Sequence, residues 1–111
     1  MANLYKNAKL DLTTTNLTNI ITSPTGSTII VKSILVSEDS GSTPNITITL
    51  VESSNIFSVF KSKALSANQT LELLDKPLII QSGEILKAQA SAANQLHIIV
   101  SYLEIFDEKS A

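Results

Sequence analysis

Turn-forming residues punctuate this sequence roughly every 8 to 12 residues, and between them apolar side chains tend to recur at every second position. A period of two is the signature of a strand with one face buried, and it is incompatible with the 3.6 period of a helix. From Leu4, the set Leu4, Lys6, Ala8, Leu10 and Leu12 opposes Tyr5, Asn7, Lys9 and Asp11, which predicts a first strand. A second is expected over 17–22, followed by Ser23-Pro24-Thr25-Gly26, a type I turn that would close a hairpin with the next strand. That next strand, 28–37, carries Ile29, Ile30, Val31, Ile34, Leu35 and Val36. It is too apolar to be wetted on one side, so a central position is expected.

The rest of the chain continues in the same way. In 45–52, Ile46, Ile48 and Leu50 alternate with Asn45, Thr47 and Thr49. Ser53-Ser54 turns into 55–61, with Ile56 and Phe60 expected on one side and Phe57 and Val59 on the other. Short strands over 70–74 and 78–81 are separated by Asp75-Lys76-Pro77, because proline cannot donate to a ladder. Strands over 84–90 and 95–105 follow, the last being the second central one. At most one helical turn fits within 64–74, where Ser66, Asn68 and Thr70 are poor helix interiors. The fold class is therefore all-β, an antiparallel β-sandwich or jelly roll of about eight to nine short strands. A single sandwich domain is expected over 1–105, with a charged C-terminal tail over 106–111.

Composition narrows the function classes. Charged residues are 16% of the chain against the roughly 25% of an average domain, and 43% is hydrophobic, which argues for a folded chain. The net charge is -2 and every basic residue is lysine, so the bidentate arginine contacts that favour nucleic acid are missing. Without cysteine there is neither a disulfide nor a thiolate metal site. No apolar run approaches the 18 or so residues of a membrane span, and Met1 to Leu12 has no apolar secretion core. A chain without a secretion signal, bound neither to membrane nor to nucleic acid, is the expectation.

Catalytic chemistry is sparse. His97 is the only histidine and sits between Leu96 and Ile98, the pattern of a side chain on a sheet face. No cysteine nucleophile and no G-x-S-x-G elbow accompanies it. Glu38, Asp39, Ser40 and Ser42 could supply a few oxygen ligands to calcium, but without the spacing of a known loop. Asn16, Asn45 and Asn68 each begin an N-x-T triplet, which arises by chance in a chain this rich in Asn and Thr. No catalytic, cofactor-binding or metal-ligating residue is assigned.

The informative feature is an apolar surplus. If the strands from Leu4, Asn55 and Gln95 share one sandwich, then Tyr5, Phe57, Val59, Ile99, Leu103 and Phe106 cannot all point into a core already filled from the opposite faces. These six are the candidate interface residues.

Two segments carry a resemblance: Leu71-Glu72-Leu73-Leu74-Asp75-Lys76-Pro77-Leu78-Ile79-Ile80-Gln81-Ser82-Gly83-Glu84-Ile85-Leu86-Lys87-Ala88-Gln89-Ala90 and Gln95-Leu96-His97-Ile98-Ile99-Val100-Ser101-Tyr102-Leu103-Glu104-Ile105. Together with Leu4-Tyr5-Lys6-Asn7-Ala8-Lys9-Leu10-Asp11-Leu12, the chain resembles small tailed-bacteriophage virion proteins, especially those of marine phages. The resemblance implies a non-enzymatic β-sandwich subunit of the virion, assembled in the host cytoplasm. Capsid decoration or cement protein is the first reading, and a tail, neck or fibre subunit is its rival. Its partners would be the major capsid or tail proteins of the same virion and further copies of itself, with a trimer favoured. A carbohydrate-binding module is the alternative from another class, although the chain has no Trp and only Tyr5 and Tyr102 among tyrosines.

Overall fold

Leu96, Ile98 and Val100 are fully buried while His97, Ile99 and Ser101 face outward, so the alternation of the sequence is the burial pattern of the strand that carries it. A computed structural model describes residues 2–106. Among them it contains nine strands and no helix: β1 (Ala2–Leu12), β2 (Thr18–Thr22), β3 (Ser27–Glu38), β4 (Asn45–Glu52), β5 (Asn55–Ala64), β6 (Thr70–Glu72), β7 (Leu78–Ile80), β8 (Ile85–Ala90) and β9 (Leu96–Phe106). All strand pairs are antiparallel. One sheet has the order β1-β9-β3-β6, with β7 also paired to β3, and the other has the order β2-β8-β4-β5. The expected antiparallel β-sandwich is the observed fold, and β3 and β9 are both interior strands of the larger sheet.

The core lies between the two sheets. From the larger sheet come Ile29, Val31, Ile34 and Val36 of β3 and the three buried residues of β9, and from the smaller come Ile46, Ile48, Leu86 and Ala88. Large residues meet small ones across the β4–β8 ladder, where Ile46 stands opposite Ala90 and Ile48 opposite Ala88. Such pairing lets side chains of the facing sheet fill the space at the density of a protein interior. A bulge in β3 between Val31 and Ser33 changes which residues point inward, from Ile29 and Val31 before it to Ile34 and Val36 after it.

Several local expectations are corrected. No hairpin joins β2 to β3: β2 pairs with β8 in the other sheet, so the turn between them carries the chain across the sandwich. That turn is closed one residue later than expected, by the Ser27 N–H donating to the Pro24 carbonyl at 3.0 Å. Gly26 then occupies its third position with φ of 87°, which suits a type II turn and not type I. A second bulge, at Val59, reverses the faces of β5: Phe57 opposes Leu50 and Phe60 opposes Ile48, while Ile56 opposes Val51 on the outer side. The pairing expected between Ile56 and Phe60 is thereby broken. Where one helical turn was entertained, Ser66 and Gln69 close a tight turn instead, with the Gln69 N–H on the Ser66 carbonyl at 3.2 Å. Phe106, assigned to the tail, is the last residue of β9 and pairs with both Ala2 and Ser27. The remainder of the expected tail, 107–111, lies outside the described residues.

Ile34 is wholly buried at the point where β3 resumes its ladder after the bulge. Truncation there removes transfer free energy and leaves a cavity that two sheets cannot collapse to fill. Ile34→Ala is expected to lower the unfolding free energy by about 2–5 kcal/mol, read from the urea midpoint of the purified chain.

Candidate functional site

The outer face of the larger sheet is a grid of rows running across the strands, because residues directly opposite one another in a ladder share a face. One row is Tyr5, Leu103, Ile30 and Ile79, contributed by β1, β9, β3 and β7 in turn. A second is Lys9, Ile99, Leu35 and Glu72. Between them lies a row of short polar side chains, Asn7, Ser101 and Ser33. Tyr5 is 81% exposed, Ile79 46% and Ile99 41%, so no other part of the described chain covers this face. A hollow of about 390 Å³ lies beside Asn7 and Ser101 of this row and the β3 bulge, lined by Tyr5, Lys6, Asn7, Lys32, Ser101 and Tyr102.

Of the six candidate interface residues, Tyr5, Ile99 and Leu103 share this face. Phe57 and Val59 lie on β5, at the edge of the smaller sheet, and Phe57 is 54% exposed. Phe106 is on the opposite face of β9 from Leu103, with its ring centre 5.9 Å from the Lys6 ammonium. The six therefore form no single patch. Ile30, Leu35 and Ile79 belong to the face and were absent from the candidate set. Their signal was present in the adjacent apolar pairs Ile29-Ile30, Leu35-Val36 and Ile79-Ile80, since one member of each must leave a core that the other enters.

His97 is on the same face, two residues along β9 from Ile99. Its Nε2 is 3.3 Å from an Asp11 carboxylate oxygen and its Nδ1 3.2 Å from one of Asp39. A neutral imidazole donates to one of these, and both at once take the imidazolium. Ser37 is its cross-strand neighbour, but the Ser37 hydroxyl is 3.1 Å from that of Thr70, and each ring nitrogen lies against a carboxylate. The side chain is 46% exposed in an open hollow of about 550 Å³, so the setting lacks both the nucleophile contact and the enclosure that hydrolysis requires.

The oxygen-rich loop after β3 is organised in a way opposed to cation binding. Glu38 is buried, and its carboxylate accepts the N–H groups of Ser40 (3.0 Å), Gly41 (3.0 Å), Ser42 (3.3 Å) and Asn68 (2.8 Å) together with the Ser40 hydroxyl. Of the calcium ligands considered over Glu38, Asp39, Ser40 and Ser42, Glu38 is bonded to N–H donors, the Ser40 hydroxyl donates to Glu38, Asp39 lies against His97, and Ser42 takes part through its N–H. Burial pushes the Glu38 carboxyl up, but the Ser40 hydroxyl and the surrounding N–H groups outweigh it and hold the group at about 2. Glu72 plays a related part at the β3 bulge. It accepts from the Ser33 hydroxyl, the Ile34 N–H at 2.8 Å and the Leu74 N–H at 3.2 Å. There too burial raises the carboxyl and the hydrogen bonds lower it further, leaving it below the usual range. At the other end of β3, buried Glu104 meets the Lys6 ammonium at 2.9 Å and the Ser27 hydroxyl at 3.2 Å. The Glu104 hydrogen bond raises the Lys6 ammonium, and burial offsets part of that rise.

No family model and no curated protein matches the chain. Among solved structures, the chain superposes on the acid-stable capsid structure of Helicobacter pylori bacteriophage KHP30 with a TM-score of 0.51 at 11% identity, over 98% of this chain and 90% of that one. It also matches a pentameric capsid protein isolated from metagenomic phage sequences, in two crystal structures, with a TM-score of 0.47 at 18% identity. Those matches cover 92% of this chain, which spans 59% and 61% of the two crystallised chains. At these identities the likeness is one of fold.

Because the native Glu38 carboxyl lies below its ordinary value of 4.5, its contribution to stability is present above that value and is lost as pH falls towards about 2. The lowered Glu72 acts in the same direction. The urea midpoint is expected to fall steeply from about pH 5 to about pH 2, and Glu38→Gln should be less stable at neutral pH with a shallower acid dependence. A variant as steep as the parent would show that Glu38 does not carry the effect.

Proposed function

We propose that this chain is a non-enzymatic structural subunit of a phage particle, a capsid decoration or cement protein that packs against the shell through the outer face of its larger sheet. The observation that carries the reading is that face: two apolar rows, Tyr5-Leu103-Ile30-Ile79 and Ile99-Leu35, left uncovered by the described chain. Contiguous exposed apolar surface of this kind marks protein contact sites more often than chance.

The topology supports the same reading. Strand pairs nest as β1 with β9, β2 with β8, β3 with β6 and β7, and β4 with β5, which is one long antiparallel ribbon whose tip is the β4–β5 turn. Rolling that ribbon brings β9 beside β3 and β8 beside β4, and this is the winding of a jelly roll. Jelly rolls are frequent in viral capsids, and the KHP30 capsid structure shares the fold. Fold alone does not assign a role, and the open face supplies the local feature that turns it into a contact protein.

A tail, neck or fibre subunit is the alternative, distinguished by copy number. Quantitative mass spectrometry of purified virions should find the chain in a fixed ratio to the major capsid protein. A ratio matching a tail component would move the assignment to the tail, and absence from particles would end it. Ile79→Asp combined with Ile99→Asp should strongly reduce incorporation. Both side chains are substantially exposed, so each change is expected to cost no more than about 1 kcal/mol of stability, mostly strand propensity.

A further inference from the structure

An open sandwich has four sheet edges, and three of these are blunted. β2 spans Thr18–Thr22 with an irregular register between Asn19 and Ile21. The β6 and β7 edge consists of two three-residue strands separated by a corner containing Pro77. β5 is broken twice, by the bulge at Val59 and by a further register shift beside Ser62, whose φ is 53°. Short, bulged, proline-bearing or lysine-bearing edges are the usual protections against pairing with another chain. β1 has only the last of these, in Lys6 and Lys9. It runs eleven residues in unbroken register with β9, contains no Pro or Gly, and has no strand on its other side among the described residues.

The direction of the β1 backbone groups follows from the hydrogen bonds. In an antiparallel sheet a residue's N–H and C=O point to one side, and those of the next residue to the other. The Glu38 N–H donates to Gln69 at 2.8 Å and the Ile34 carbonyl accepts from Leu73 at 2.9 Å, so both residues face away from β9. Their opposites in β9, Leu96 and Val100, therefore direct their groups towards β1, where they meet Leu12 and Ala8. Even-numbered residues of β1 are thus bonded to β9. The N–H and C=O groups of Asn3, Tyr5, Asn7 and Lys9 point to the open edge and find no partner among the described residues.

We propose that this edge pairs with β1 of a second copy of the chain, antiparallel about a two-fold axis at Asn7, making one continuous sheet across the dimer. Centring on Asn7 uses the whole strand. It sets Asn7 opposite Asn7, Leu4 opposite Leu10 on the inner side, and Tyr5 opposite Lys9 on the outer side, where the ring can take the ammonium. Centring on Lys6 or Lys9 would instead oppose a lysine to itself. Lysine on an edge strand, pointing inward or outward, normally discourages pairing; here the Lys6 charge is met within its own chain by Glu104 at 2.9 Å, and the chosen register gives Lys9 an aromatic partner. The pairing would cover Tyr5, the most exposed of the large hydrophobic residues, and would join the apolar rows of two outer faces.

The pairing does not rest on the particle reading, and its test uses the purified chain alone. The sequence has no cysteine, so a single introduced one is an unambiguous reporter. Opposed residues of a hydrogen-bonded pair have Cα atoms about 5.5 Å apart, within disulfide range. Sedimentation should find a dimer, and Asn7→Cys should oxidise to a covalent dimer while Ser58→Cys, on the bulged β5 edge, does not. Asn7→Pro should abolish the dimer with unchanged far-UV circular dichroism, since the lost N–H faces the open edge and not β9. A parent that sediments as a single chain or a trimer, or Ser58→Cys linking as readily as Asn7→Cys, would overturn the proposal. If the Pro variant fails to fold, the paired cysteine variants still decide.

Discussion

In the β3–β9 ladder, inward residues of one strand stand opposite inward residues of the other from one end of the sheet to the other, starting with Ile29 at Glu104 and finishing with Glu38 at Leu96. Every other layer is positioned by this pair. β1 takes its register from β9, β6 and β7 take theirs from β3, and the smaller sheet packs on the inward side chains of both strands. A slip of one residue would send Val100 and Ile98 into water and bring His97 and Ser101 into the core, so the register is strongly specified. The bulge at Lys32 is part of that specification. It lets a strand whose inward residues are odd-numbered in its first half present even-numbered residues in its second.

Three glutamates tie irregular backbone to this frame. Glu72 satisfies the Ile34 N–H just after the β3 bulge, a donor that the three-residue strand β6 would otherwise leave open. Glu38 gathers the N–H groups of two separate loops, 40–42 and Asn68, around one buried carboxylate. Glu104 holds the end where β1, β9 and the β2–β3 turn meet, through Lys6 and Ser27. A buried polar group is tolerable only when it is fully paired, as Glu38 and Glu104 are, and each of the three glutamates takes at least one partner from a segment distant in sequence. These carboxylates therefore fix loops by non-local contacts in a chain with no disulfide to do so.

The same distinction between local and non-local information explains what was legible in the sequence. Alternation along 45–52 and 95–105 is local, and the strands, their central or peripheral position and the sandwich class followed from it. The bulges at Lys32 and Val59 carry no residue-type signature, so Ile56 was grouped with Phe60 where Phe57 belongs. The apolar density of β3 was put down to burial on both sides, whereas Ile30 and Leu35 lie on the outer face. Tyr5, Ile99 and Leu103 were legible as surplus because their strands alternate without interruption. Phe106 and the two β5 residues were grouped with them only because no one-dimensional pattern reports which of several surfaces a residue shares. The roles of Glu38 and Glu72 were illegible for a further reason: each depends on a donor some thirty or more residues away, 30 for Asn68 and 38 for Ile34.

The open face and the open edge meet at Tyr5, and their conjunction has a physical logic. An apolar sheet face is normally covered by a further layer, and an unbulged edge by a further strand. The described residues supply neither, although register breaks in β2 and β5 and a proline at the β6–β7 corner protect the other edges. Edge pairing alone would leave the outer face exposed, and face packing alone would leave the β1 donors unpaired. An assembly in which copies join through β1 and the widened sheet then lies against another protein satisfies both sets of groups. The larger sheet is the natural carrier of that contact, because its outer rows cross β1, β9, β3 and β7 without a gap and would continue through the paired edge into the second copy.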